Sequence, residues 1–236
     1  MTIGPAFRLT CPHCGGHKYI ESIMSGNTFR GTMWSDGKKD YPMLPSPSPI
    51  QRCPKCGKYY FYEDGKPLSM DFEAFKNAIK DKSRLDDAEI EKQYRIALRS
   101  WDKEAGLNGF GLLNEQESRE AYAFLYSDSL PEQRKANVLI TRLFSFNDEY
   151  LRMNNTLPDE LQETQEEFIS KIISQFANEK IFVAELYREV GQFEKAKELL
   201  TSFLESDIDE HSASAAKKIL DYAEKQDRTV FVLMEW

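Results

Sequence analysis

Cys11-Pro12-His13-Cys14-Gly15 and Cys53-Pro54-Lys55-Cys56-Gly57 contain all four cysteines of the 236-residue chain. In each stretch two residues between the sulfurs let both thiolates reach one ion. The proline stiffens the turn, and the glycine lets backbone N–H groups approach the sulfurs. Two such turns predict a four-thiolate tetrahedral site with Cys11, Cys14, Cys53 and Cys56 as metal ligands. Four sulfurs close the shell and leave no position for a substrate, so His13 and His17 read as neighbours of the site rather than ligands. The 38 residues between Cys14 and Cys53 are room for a small sheet.

Outward from the two turns the pattern has period 2. Tyr19 to Met24 reads as a strand, Ser25-Gly26-Asn27 as a turn, Thr28 to Trp34 as the returning strand. Ser35-Asp36-Gly37 turns again, and Lys38 to Met43 runs back. Pro42, Pro45, Pro47 and Pro49 then force an extended path to the second cysteine turn, and Tyr59 to Tyr62 forms a last strand. The arrangement resembles a zinc ribbon, and the resemblance implies one structural Zn²⁺ on Cys11, Cys14, Cys53 and Cys56. A module this small buries little apolar surface, and a structural zinc contributes on the order of 10–16 kcal/mol to such folds. The turns alone also resemble those of rubredoxin, which implies the other occupant, a redox-active iron on the same four sulfurs.

After Pro67 the period changes to 3.6. A helix is expected over 71–80, with Phe72, Phe75 and Ile79 on one side. A second is expected over 86–104, opened by Asp86 with Glu89 three residues on and carrying Ile90, Tyr94, Ala97, Leu98 and Trp101 as its stripe. Beyond the glycine-rich break at 106–111, Asn114 caps a helix to about Tyr126 with Ala121, Phe124 and Leu125 inward. Ser129-Leu-Pro-Glu132 reads as a capping box for a helix to about Arg152, with Val138, Leu139, Leu143, Phe146, Tyr150 and Leu151 as its apolar side. Thr156 caps the next, with Phe168, Ile172, Ile173 and Phe176 facing in. Asn147 falls on the apolar side of its helix, four residues from both Leu143 and Leu151, and predicts a buried interhelical hydrogen bond.

The segment from Ala184 to Leu200 resembles a tetratricopeptide repeat unit. Ala184 precedes Tyr187 on the first helix, Gly191 precedes Phe193 at the turn, and Ala196 precedes Leu199 and Leu200 on the second. These small residues let two helices approach closely. The resemblance implies an array of helical hairpins that recognises a protein or peptide partner. A helix over 210–225 with Ala213, Ala216, Ile219, Leu220 and Ala223 would close the stack. The tail from Thr229 to Trp236 has strand character and is expected to dock on its own helices or on the ribbon; the alternative is addition to a partner's sheet.

The whole reads as a mainly α protein: a small β zinc ribbon over residues 1–66, then a tetratricopeptide-like helical domain over 67–236 with a short strand-like tail. Net charge is −8, unevenly spread. Residues 1–66 hold nine Lys and Arg against five Asp and Glu, while the rest holds 22 against 34. An acidic helical body argues against broad nucleic-acid binding and points to a basic partner, and four thiolates on Zn²⁺ lower the ribbon's charge by two, so nucleic acid is the weaker expectation. No apolar run is long enough to span a bilayer. With no secretory leader and with metal-spaced cysteines, the cytoplasm is the expected location. Enzyme motifs fail. Gly31 to Gly37-Lys38 has Lys39 where a phosphate loop needs Ser or Thr, and Gly109-Phe-Gly111 lacks the third glycine and preceding strand of a dinucleotide site. His211 reads as a solvated residue at a helix start. No enzymatic activity is expected; the chain reads as a metal-binding scaffold for a protein partner.

Overall fold

The computed structural model describes residues 2–68, 76–77, 86–108, 113–152 and 157–235. The described strands are β1 (Thr2–Thr10), β2 (His17–Ser25), β3 (Thr32–Trp34), β4 (Lys39–Asp40), β5 (Ile50–Arg52), β6 (Tyr59–Phe61), β7 (Lys66–Leu68) and β8 (Val232–Glu235). The described α-helices are α1 (Asp87–Asn108), α2 (Glu115–Leu125), α3 (Glu132–Tyr150), α4 (Gln162–Gln175), α5 (Lys180–Glu189), α6 (Phe193–Leu204) and α7 (Glu210–Glu224). Two compact units emerge, Met1–Asn27 with Met43–Leu113, and Thr28–Pro42 with Asn114–Trp236.

In the first unit β1 is the central strand of an antiparallel sheet ordered β2-β1-β7, and β5 pairs with β6 as a hairpin. Leu9 and Ile20, one from each of the two long strands, are buried with Cys11, Cys53 and Tyr60 in one small core. α1 lies along β1 and β2. Its first turn is held as expected, Asp86 accepting the Glu89 N–H at 2.9 Å, and Ile90 is fully buried. The chain leaves this unit at Asn27 and rejoins it at Met43. Gly26 permits that narrow stem, because a Cβ there would lie 2.1 Å from the Met43 carbonyl oxygen.

In the second unit the excursion 28–42 supplies β3 and β4, and β3 is sandwiched between β4 and β8 in an antiparallel sheet. The main core lies among α3, α4 and α5: Leu139, Leu143, Phe146, Phe168, Ile169, Ile172 and Leu186. A second cluster joins Ala184 of α5, Leu200 of α6, Ala216 and Ile219 of α7, and Phe231 of the tail. Phe231 stacks on Tyr222 with ring centroids 3.7 Å apart, and Val230 donates its N–H to the Leu151 carbonyl. The tail is thus docked on its own helices and paired with the 28–42 hairpin.

Several expectations change. β3 does not return along β2; β2 pairs with β1, a strand starting earlier than the sequence pattern indicated, and β3 finds its partner some 200 residues away in β8. In consequence the 28–42 hairpin groups with the helices, and α1 groups with the cysteine-bearing strands, so the units do not follow a single cut at residue 66. Phe124 is half exposed rather than inward. Ser129 does not cap α3; its hydroxyl bonds Ser127, and Glu132 turns to Lys135. Asn114 does form its capping box with Glu117. The expected helix over 71–80 falls outside the described residues except for 76–77, as does Thr156.

Candidate metal centre

Both cysteine turns are built alike. In the first, the Gly15 N–H donates to the Cys11 carbonyl and the Cys11 N–H to Gly16; in the second, Gly57 donates to Cys53 and Cys53 to Lys58. Gly15 (φ 68°) and Gly57 (φ 73°) hold the left-handed conformation that closes each turn, which a side chain would strain. The turns follow β1 and lead into β6, so the sheet and the hairpin present them to each other.

The four Sγ atoms all lie within 4.8 Å of one another. Across the two turns, Cys11 and Cys56 are 3.9 Å apart at sulfur, and Cys14 and Cys53 are 3.7 Å apart. An ion with four thiolates at about 2.3 Å in a tetrahedron spaces them about 3.8 Å apart, so the cysteines fit a single metal ion and are too distant for disulfides. Cys11 and Cys53 are buried; Cys14 and Cys56 form the outer side. Backbone N–H groups reach the sulfurs, as negative thiolates require: His13 N–H to Cys11 and Gly16 N–H to Cys14, both at 3.4 Å. The Lys58 N–H, the largest influence on Cys56, brings that thiol down to about 7, while burial pushes Cys53 up. Burial also pushes the Tyr60 hydroxyl up, and the surrounding thiolates add to it.

Neither histidine joins the sulfurs. His13 Nε2 lies 3.1 Å from the Tyr59 carbonyl, which can only accept, so that nitrogen carries the proton. His17 Nδ1 bonds the Thr10 hydroxyl at 3.3 Å. His211 sits exposed on the first turn of α7. Among the described residues the four cysteines form the one metal-ligand cluster, and no helix is long and apolar enough to cross a membrane.

The second unit holds a polar cluster of a kind the residue pattern did not disclose. Asn147 is fully buried, but its partners are not another helix alone: Nδ2 donates to Asp36 Oδ2 at 3.0 Å and to Glu189 Oε2 at 3.1 Å. Arg152 donates to Asp36 at 2.8 Å and stacks over Trp34. Arg188 forks onto Glu185, both fully buried, and its remaining donors take the Asp227 and Thr229 carbonyls. Burial pushes Asp36 up against the opposing pull of Arg152, and pushes Glu189 well above the usual carboxylate range. The only signal in sequence was Asn147 itself and the Asp36-Gly37 turn.

Beside β3 and β8 the same unit has an open cavity of about 360 Å³, lined by Met33, Phe182, Phe203, His211, Ala215 and Met234 among others. No family model matches the chain, and no curated protein or solved structure is significantly similar to it.

Proposed function

We propose that this chain is a metal-stabilised protein-recognition module: a structural zinc held by Cys11, Cys14, Cys53 and Cys56, and a helical unit, tetratricopeptide-like at α5 and α6, that receives a protein or peptide partner. The observation that carries the metal reading is the pair of inter-turn sulfur distances, which match the edges of a tetrahedral thiolate shell. Bound there, the ion would supply a cross-link between two turns that share only a small apolar core. Zinc is favoured over iron because the ribbon-like frame needs stability rather than electron transfer.

A non-enzymatic role is supported by how the polar groups are used. The buried carboxylates of the second unit are taken up by arginines and an amide within the core, while the open cavity presents more apolar than polar surface, with Met33, Phe182, Phe203, Leu233 and Met234 beside Glu179, Lys180 and His211. The Ala184 and Ala196 positions of the repeat-like pair are fully buried, which supports close helix packing there. The cavity, edged by β8, fits an apolar peptide segment, and a cytoplasmic setting suits reduced thiolates.

Elemental analysis with a visible spectrum on untagged protein tests the first half: one zinc per chain without colour is expected, and one iron with thiolate charge-transfer bands would replace this reading with a rubredoxin-like one. Ala215→Arg, which fills the cavity from outside the core clusters, tests the second half. Proteins enriched by the wild-type chain are expected to be lost with this variant, and unchanged recovery would remove the cavity from the reading.

A further inference from the structure

Three acidic side chains are fully buried in the second unit: Asp36 in the hairpin turn, and Glu185 and Glu189 on α5. Arginines answer only two of them. Arg152 pairs with Asp36, and Arg188 is committed by both Nε and Nη2 to Glu185. Arg228 donates to the backbone carbonyl of Glu189 at 2.7 Å and to Gln165 Oε1 at 2.6 Å and makes no hydrogen bond to the Glu189 carboxyl. The groups facing Glu189 are therefore Glu185 and Arg188 from its own helix, Asn147 from α3, Asp36 from the hairpin with Arg152 behind it, Gln165 from α4, and Arg228 from the segment after α7, where Asp227 acts on Arg188.

The unpaired atoms at this place are specific. Besides the donor Arg152 Nη1, two acceptors, Glu189 Oε1 and Asn147 Oδ1, are buried and without a hydrogen-bond partner. They belong to two side chains already joined by one hydrogen bond, Asn147 Nδ2 to Glu189 Oε2. Two unsatisfied buried acceptors would each carry a penalty of order 1–3 kcal/mol. One proton on Oε1 would answer both deficits by giving Oδ1 a donor, the pairing a carboxamide and a carboxylic acid make face to face.

We propose that Glu189 is a neutral carboxylic acid in the folded protein, donating Oε1–H to Asn147, and that this single proton, taken from solvent on folding, is the clasp that keeps the 28–42 hairpin docked through Asp36. With the proton in place, Asp36 and Arg152 balance, Glu185 and Arg188 balance, and the Asn147 amide serves one anion and one neutral acid. Without it, Asp36 and Glu189 carry like charges on either side of that amide and repel each other across the buried interior. Asp36 sits on a two-ended excursion with a narrow stem, whereas Glu189 sits on a helix that shares apolar clusters with α3, α4, α6 and α7, so the hairpin is the element that yields. β8 then loses the strand it pairs with.

The sign follows from the raised folded-state affinity for the proton. The stabilisation is fully present below the ordinary glutamate value of about 4.3 and is lost as pH rises toward the folded value, at up to tenfold in the docking equilibrium per pH unit. Hydrogen exchange of peptides covering 28–42, corrected for intrinsic rates, is expected to show protection falling at least tenfold between pH 6 and pH 9 while α4 and α5 stay protected. Glu189→Gln, which carries the equivalent donor permanently, is expected to abolish that fall. A fall of equal size in Glu189→Gln would overturn the proposal. Should the variant not fold, the carboxyl ¹³C shift of Glu189 in the wild-type chain decides: a neutral acid at pH 7 supports the proposal, and ionisation below pH 5 sinks it.

Discussion

The two units each bring several negative groups into a small volume, and they neutralise them differently. In the first, four thiolates converge from two turns to distances at which a divalent ion can bind them all. In the second, three carboxylates share an interior with two committed arginines, one carboxamide and, on our proposal, a proton. The metal-type solution is local: each pair of ligands is fixed by a five-residue turn, and the surrounding core is only a handful of residues. The ion-pair solution is distributed over positions 36, 147, 152, 185, 188 and 189 and depends on an extensive apolar core to hold them. A cross-link can organise a module too small to organise itself, whereas buried charge pairs are tolerated only where packing already fixes their geometry.

The difference can be broken most sharply at the cysteines. Cys53→Ser is expected to lose bound metal and, with it, amide protection across β1, β2, β5 and β6, since an ion of this kind contributes on the order of 10–16 kcal/mol. Protection in α3 to α7 should survive, and a Cys53→Ser chain whose ribbon stays protected would show that the ion is not what holds it. Next in size, Arg188→Met leaves Glu185 charged and alone in the interior. Urea unfolding should register a loss of about 3–5 kcal/mol confined to the second unit, mostly recovered in Arg188→Met with Glu185→Leu; no recovery would mean that the arginine acts by something other than pairing. Phe231→Ala removes the ring stacked on Tyr222 and should cost about 3 kcal/mol, with exchange rising in β3 and β8 together. A rise in β8 alone would show that the tail and hairpin are not one cooperative piece. Smallest, Asn114→Ala at the α2 capping box should lower the unfolding free energy by about 1 kcal/mol and leave metal content unchanged.

What could be read from the chain alone follows the same division. The cysteine turns were legible because ligand spacing is a local property, and the helices α1 to α7 because an apolar stripe and a cap are local too; Ile90, Leu143, Ile172 and Ala216 are buried as their spacing requires. Capping was legible only in part, since Asn114 and Asp86 cap while Ser129 prefers Ser127. The partner of β3 was not legible. Alternation in residues 32–34 says that a strand forms and nothing about which strand it meets; β2, nearer in the chain, pairs with β1, and β3 with β8. Asn147 was visible as a polar residue on an apolar face, yet Asp36 and Glu189, 111 and 42 residues from it, carry no periodic mark.

The pairing of β3 with β8 also sets an order of events during synthesis. Both cysteine turns and the strands that carry them leave the ribosome early, and the thiolate cluster can close as soon as residue 57 is free. The hairpin between those turns is made just as early, but its neighbour strand is not complete until residue 235. For most of translation, then, residues 32–34 have one edge without its partner strand, and Asp36 has no arginine to meet it until residue 152 emerges. Such an edge is a natural target for a chaperone or for a second nascent copy of the same chain, and the time for which it stays open is set by the length of the helical segment still to be made.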